Sequence, residues 1–246
     1  MKKTQVKQES GGAPPNIVRP YVMVDVVIFA IQDGELKVLL VKRTGSPEEP
    51  FPNYWALPGG FIDVDKDQSL EACALRKLKD KTGISSPYLE QLGSWGSDSR
   101  DPRGWSTTCV YFALVAEAGL AQPISGANSS DARWVPVHGT GVKEKLAFDH
   151  EKIMKAAIER LKAKVEYTSL PAYLLPREFT LSELQRVYEV ILQRPLEKSA
   201  FRTRVLATKL VVEVPRFREG ANRPAQLYKL RSESEPVFFQ RTFKPA

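Results

Sequence analysis

Histidine and cysteine are scarce in this chain of 246 residues, with only His138, His150, Cys73 and Cys109. The two cysteines lie far apart and show no CxxC spacing, which excludes a disulfide framework and a cysteine-rich zinc site and fits a reducing cytoplasm. Two histidines cannot build a multi-histidine metal centre, so each is expected as a surface or packing residue. No apolar run approaches the roughly 20 residues that span a bilayer, and no membrane partner is expected. The opening, MKKTQVKQESGGAPPN, has basic residues but no apolar core behind them; it reads as a flexible basic tail over 1–19, not a signal peptide. Acidic residues are also outnumbered, at 29 against 36 basic, for a net charge of +7. The surplus sits in the tail and the last third, while the middle is close to neutral. That placement points to an anionic partner at the C-terminal end, or to a solvated basic surface.

What is present is organised. YVMVDVVIFAI, the turn QDGE and LKVLLVKR read as a β-hairpin, followed by a proline-rich stretch that ends in WALPGG. Gln68 to Thr82 has helical spacing, with Leu70, Cys73, Ala74 and Leu78 on one side. Strand-like runs follow at YLEQLGSW, TTCVYFALVA and ARWVPV. HEKIMKAAIERLKA, from His150, places Ile153, Met154, Ala157, Ile158 and Leu161 on one helical face. This first unit is expected to span 20–165.

KVEYTSLPAYLLPREFT has no clear period and reads as a packed linker opening the second unit, 166–246. Thr180 and Glu183 have the spacing of a capping box ahead of LSELQRVYEVIL, with Leu181, Leu184, Tyr188 and Ile191 on one face. A second helix from about Lys198 to Thr208 is predicted to bury Phe201 and Val205 and to leave Lys198, Arg202 and Arg204 outside. KLVVEV and AQLYKL then flank a loop, PRFREGANRP. Helix, short turn, helix, hairpin is the order of a winged helix-turn-helix. That geometry would bring Lys198, Arg202, Thr203 and Arg204 to base edges or phosphates, and Arg216, Arg218 and Arg223 to backbone or minor groove. A small helical domain used for dimerisation fits the same pattern.

LRKLKDKTGI, Leu75 to Ile84, carries the first family resemblance. Aligned on Arg76, Leu78, Gly83 and Ile84, it is similar to the Nudix hydrolase box, G-x5-E-x7-R-E-U-x-E-E-x-G-U, with WALPGGF upstream as the entering strand and turn. The box's glutamates hold divalent cations over a pyrophosphate. Here they fall on Gln68, Lys77, Asp80 and Lys81; Asp67 stands one place from Gln68, and the loop from Gly60 is two residues longer than the pattern. Lys77 and Lys81 are four apart and share a helical face. The frame implies a Nudix fold, and its missing acids imply no metal site and no catalytic residues. Two readings of the lysines are open: point charges that hold a ligand's pyrophosphate directly, or solvated surface residues. SDSRDPRGWSTT adds Arg100 and Arg103 as phosphate-pairing groups and Trp105 as a base-stacking one, with a plain surface loop as the alternative.

Over about Pro20 to Leu230, the ordered pieces WALPGGF, SRDPRGW, LAFDH, LLPREFTLSELQ, FRTRVL and NRPAQLY resemble the Nudix-related transcriptional regulators of NAD metabolism, the NrtR family. The resemblance implies an α/β (α+β) Nudix-like sandwich followed by a C-terminal winged helix. It implies a cytoplasmic, homodimeric repressor of NAD biosynthesis or salvage genes on a palindromic double-stranded operator. It also implies release by ADP-ribose as effector, with no cofactor. The competing reading is an active ADP-ribose pyrophosphatase of the Nudix class whose C-terminal domain only dimerises. Coupling between ligand and DNA is expected in the linker, Ala163 to Thr180.

Overall fold

The computed structural model describes residues 19–83, 88–116, 129–219, 224–232 and 236–239. The basic tail up to residue 18, Ile84 and Arg223 lie outside the described residues.

Strands β1 (Tyr21–Gln32) and β2 (Glu35–Arg43) form the expected hairpin. Asp33 and Gly34 both take positive φ, 54° and 76°, as a two-residue turn matched to strand twist requires. β3 (Trp55–Ala56) and β4 (Gly59–Phe61) are short; β5 (Tyr88–Ser97), β6 (Ser106–Val115) and β7 (Ser129–Pro136) complete a seven-stranded mixed sheet. Its central pair, β1 and β6, is parallel, and the other pairings are antiparallel.

A two-sided burial explains why β1 is apolar without alternation. Val24, Val26 and Ile28 meet helix α1 (Leu70–Thr82), which buries Cys73, Ala74 and Leu78. Val27, Phe29 and Ile31 turn the other way, toward helix α2 (His150–Val165), which buries Ile153, Met154, Ala157, Ile158, Leu161 and Val165. Each such aliphatic side chain contributes about 1.5–3 kcal/mol by leaving water. α1 starts at Ser69, whose hydroxyl accepts from Ala72 N–H, and stops at Gly83 in the left-handed region. Leu70, expected on the buried side of α1, is exposed; it follows the cap directly, and α1 meets the sheet only from Cys73 onward.

The linker is indeed packed. Thr168 and Ser169 are buried, and a 3-10 turn, Leu170–Leu174, is buried at every position. β8 (Phe179–Thr180) leads into α3 (Leu181–Leu192), whose capping box is complete: Thr180 Oγ1 accepts from Glu183 N–H while the Glu183 carboxylate accepts from Thr180 N–H. α4 (Lys198–Ala207), β9 (Val211–Arg218) and β10 (Ala225–Leu230) follow, and β8-β10-β9 form a small antiparallel sheet. One expectation needs correcting here: Arg216 and Arg218 stand on β9, not in a loop. Leu227 pairs with Val214 and Gln226 with Phe217, so Pro215 sits in a bulge of an edge strand, where a residue without N–H is tolerated. One hydrophobic cluster runs from Val27 and Phe112 through Ile158 and Tyr173 to Leu184, Phe201 and Tyr228. The two units therefore meet through a shared core.

Candidate ligand cleft and DNA-facing module

A cleft of about 310 Å³ opens between β1, β4, the end of β2, α1 and the start of α2. Five cations line it, Arg43, Lys77, Lys81, Arg100 and Arg103, against two carboxylates, Asp25 and Glu49. The structure thus brings together four of the five residues singled out as ligand-binding. Trp105 is the exception: it is half-exposed and outside the cleft lining, though its carbonyl accepts from Tyr21 N–H at the rim.

The cations differ in what already holds them. Arg100 is buried and donates to both oxygens of Asp149, at 3.0 and 2.9 Å, with Asp25 at 3.9 Å. Arg103 donates to both oxygens of the fully buried Asp101, at 3.0 and 2.7 Å, which holds its guanidinium above the ordinary range. The same guanidinium lies 5.2 Å from the Phe61 ring centre and 6.0 Å from that of Tyr21, a flat cationic face beside two exposed rings. Lys77 and Lys81 are half-buried, and burial lowers the pKa of each. Lys77 Nζ donates to the Phe61 carbonyl at 3.1 Å.

The carboxylates required for a divalent cation are not assembled. No group of three or more His, Cys, Asp or Glu that could hold a metal occurs among the described residues. The alignment set Gln68 at the first acidic position, but Gln68 is exposed and Asp67 turns inward. Asp67 accepts from Arg76 Nε and Nη2 at 2.7 and 2.6 Å and from Asp63 N–H at 2.9 Å, and the Arg76 guanidinium holds its carboxyl well below the usual range. The acid that pairs with Arg76 therefore stands one place before the position that the box frame assigns. Asp67 braces α1, Asp80 is exposed and 3.5 Å from Arg76, and ammonium groups occupy the remaining positions. This donor set does not fit magnesium, which wants oxygen ligands.

Several cleft residues had no local signal. Arg43 looked like a strand end; it pairs with Glu49 at 2.6 Å and covers the Phe148 ring at 5.0 Å. Asp25 was the one legible hint, an acid inside an apolar strand. It needs glycine at position 59, where a Cβ would fall 1.7 Å from Asp25 Oδ1. His150 is a packing residue in part, as expected, but it also lines the cleft: its Nδ1 accepts from Leu57 N–H at 3.0 Å, and burial lowers its pKa. A neutral ring with Nδ1 as acceptor carries its proton on Nε2, 3.8 Å from Asp25. Phe148 holds φ at 56°, a conformation that costs a bulky residue on the order of 1–3 kcal/mol. Phe51 and His150, at ring distances of 4.8 and 5.4 Å, keep it there.

In the second unit, Glu197 caps α4 by accepting from Ser199 and Ala200 N–H, at 2.9 and 2.5 Å. α4 buries Phe201 and Val205 and exposes Lys198, Arg202 and Thr203 together. Arg204 departs from the expectation that it stays outside. It is half-buried and its Nη2 donates to the Glu166 carbonyl at 2.7 Å, because its position on α4 faces the end of α2. Arg216 and Arg218 are exposed on β9, held by Glu178 and Glu183 respectively.

Comparison with known proteins agrees with both halves. Residues 22–157 match the NUDIX domain and 171–230 the NrtR DNA-binding winged helix domain. The chain is 46% identical, over 90% of its length and 86% of the relative, to the ADPR responsive transcriptional repressor NtrR of Acinetobacter baylyi. It resembles the crystal structure of Shewanella oneidensis NrtR complexed with a 27mer DNA, with a TM-score of 0.81, 42% identity, and 91% of this chain and 99% of that one covered. The NUDIX domain of the same Shewanella protein complexed with ADP ribose matches 61% of this chain and 94% of that one, at 43% identity and a TM-score of 0.54. A Nudix unit joined to this particular winged helix, in this order and over nearly the whole chain, makes the protein a member of the NrtR family.

Proposed function

We propose that the chain is a cytoplasmic transcriptional repressor that binds a palindromic operator as a homodimer and releases it when ADP-ribose occupies the cleft. The genes of NAD biosynthesis or salvage are the proposed targets. The observation that carries the reading is a cleft with lysines at the metal-binding positions, in one molecule with an exposed basic helix. Lys77 and Lys81 take the place of divalent cations and meet the ligand's pyrophosphate as point charges. Arg103, fixed flat by Asp101 beside Phe61 and Tyr21, offers a stacking face to the base, with Trp105 at the rim. Arg100 supplies a further cation in the wall.

The cleft holds its ligand without cleaving it in this reading. Attack on a pyrophosphate in this fold uses metal-activated water, and two ammonium groups at the site oppose metal binding electrostatically. On the DNA side, Lys198, Arg202 and Thr203 face outward to enter a major groove, while Arg216 and Arg218 reach backbone or minor groove, the role proposed from sequence for Arg223 as well. A two-fold dimer matches a palindrome half-site for half-site.

The test is equilibrium binding of the purified chain to promoter DNA of NAD biosynthesis or salvage genes at fixed salt, with and without ADP-ribose. The same samples, supplied with magnesium, are assayed for ADP-ribose cleavage. Specific binding relieved by intact ADP-ribose is expected. Cleavage without specific DNA binding would transfer the chain to the pyrophosphatase reading.

A further inference from the structure

Release of DNA by a ligand needs a physical link between cleft and α4, and α2 offers one. Its first turn is part of the cleft wall. His150 lines the cleft, and Asp149, at the N-cap position, makes no side-chain cap because its carboxylate is occupied by Arg100. The helix runs for 16 residues, about 24 Å at the usual rise. Glu90 on β5 pairs with both Arg160 and Lys164, one turn apart on the C-terminal half of the helix, and a continuous helix carries a displacement along its axis as a rigid element.

Its far end meets the DNA-facing module at a polar joint. Arg204 of α4 donates to the Glu166 carbonyl at 2.7 Å, and Lys162 donates to Gln193, in the turn before α4, at 3.3 Å. The segment 237–239 straps this joint. Phe239 N–H donates to the Tyr167 carbonyl at 2.9 Å, Val237 exchanges two hydrogen bonds with Ser169, and the Phe239 ring centre lies 5.5 Å from the Arg204 guanidinium. Beside it is an open, largely apolar cavity of about 430 Å³, lined by Val165, Leu192, Leu196 and Phe201, with Glu166 and Arg204 themselves in its wall. Close-packed interfaces switch between discrete arrangements, and unfilled space next to a polar contact gives a helix room for a second one.

We propose that α2 carries the ligand signal to α4, and that Arg204, through the Glu166 carbonyl, is the latch that fixes the angle of α4 against it. This rests on the repressor reading. An anion entering the cleft competes with Asp149 for Arg100 and so displaces the first turn of α2. The displacement reaches Glu166, changes the latch, and lets α4 settle into the cavity side of its joint. Arg204 is then a residue that positions α4 and not one that reads bases.

The measurement is the ratio of operator Kd with saturating ADP-ribose to that without it, for the full chain and for Arg204→Met and Phe239→Ala. Methionine keeps an apolar stem under Phe239 and removes the donors; alanine at 239 removes the ring that covers the Arg204 guanidinium, and so weakens its bond to Glu166 by exposure to water without deleting the donors. Melting temperatures verify that each variant is folded. The ratio is expected to fall in both, by about tenfold in Arg204→Met, the factor of one charge-assisted hydrogen bond. A side chain that only touched DNA would weaken both Kd values alike and leave the ratio unchanged. An unchanged ratio in Phe239→Ala overturns the latch, even if Arg204→Met binds DNA too weakly to measure. A wild-type ratio of one would instead defeat the repressor reading, and the latch with it.

Discussion

Replacing Asp67 with asparagine tests the register of the loop that leads into α1. The Asp67 side chain is 1% exposed and takes two hydrogen bonds from Arg76, while Arg76 keeps 29% of its own side chain in solvent. Hydrogen bonds to charged groups contribute about 1.5–3 kcal/mol each, and breaking a buried pair costs more when the orphaned charge cannot reach water. Arg76 can reach water, so the loss is set at about 2–4 kcal/mol, which lowers Tm by roughly 5–15 °C in a chain of this size. Gln68→Ala, one residue on and exposed, is expected within about 0.5 kcal/mol of wild type. Urea unfolding monitored by tryptophan fluorescence reads both. Asp67→Asn within that same margin, or the two variants equally destabilised, would refute the claim that Asp67 braces α1. The pH dependence has a definite sign. The folded-state pKa of Asp67 is depressed, so its stabilisation is full above the unfolded value near ~3.9 and drains away as pH falls through the lower folded one.

Three further outcomes follow from the same geometry. Restoring acids with Lys77→Glu and Lys81→Glu together should weaken ADP-ribose binding at least about tenfold in metal-free buffer and create magnesium affinity, both readable by calorimetry; unchanged affinities for both ligands would reject the lysines' role. His150 is held neutral by burial, so its folded pKa lies below the ordinary value of 6.5, and the corresponding stability is full above that value and lost as pH falls below it. His150→Gln, which keeps an acceptor for Leu57 N–H, should lose less stability than wild type between about pH 7 and about pH 5.5, and equal losses would show that His150 is not the group responsible. Arg202→Ala, on the exposed side of α4, should weaken operator binding by about 1–3 kcal/mol if it reads a base, or lower the salt slope by about one if it meets a phosphate; a binding isotherm identical at every salt concentration would remove Arg202 from the interface.

Local chemistry written into the sequence determined a good deal. The hairpin followed from β-branched runs about Asp33-Gly34, α3 from the Thr180–Glu183 box, and the two-unit organisation from the motif order. The loss of carboxylates at Lys77 and Lys81 was legible because helix periodicity alone puts them on one face. Tertiary structure decided the rest. Asp67, not Gln68, meets Arg76 because the loop turns Asp67 inward and leaves Gln68 exposed, and no one-dimensional frame resolves a shift of one. Arg43, Asp25, Phe148 and His150 converge from a strand end, a strand interior and a helix start that are distant in sequence. Arg204 and Arg202 are two residues apart on one helix, yet one is fastened to α2 and the other faces solvent. Sequence fixes the charge that each carries; only the packing of α4 against the end of α2 sets which of them is free to meet a partner.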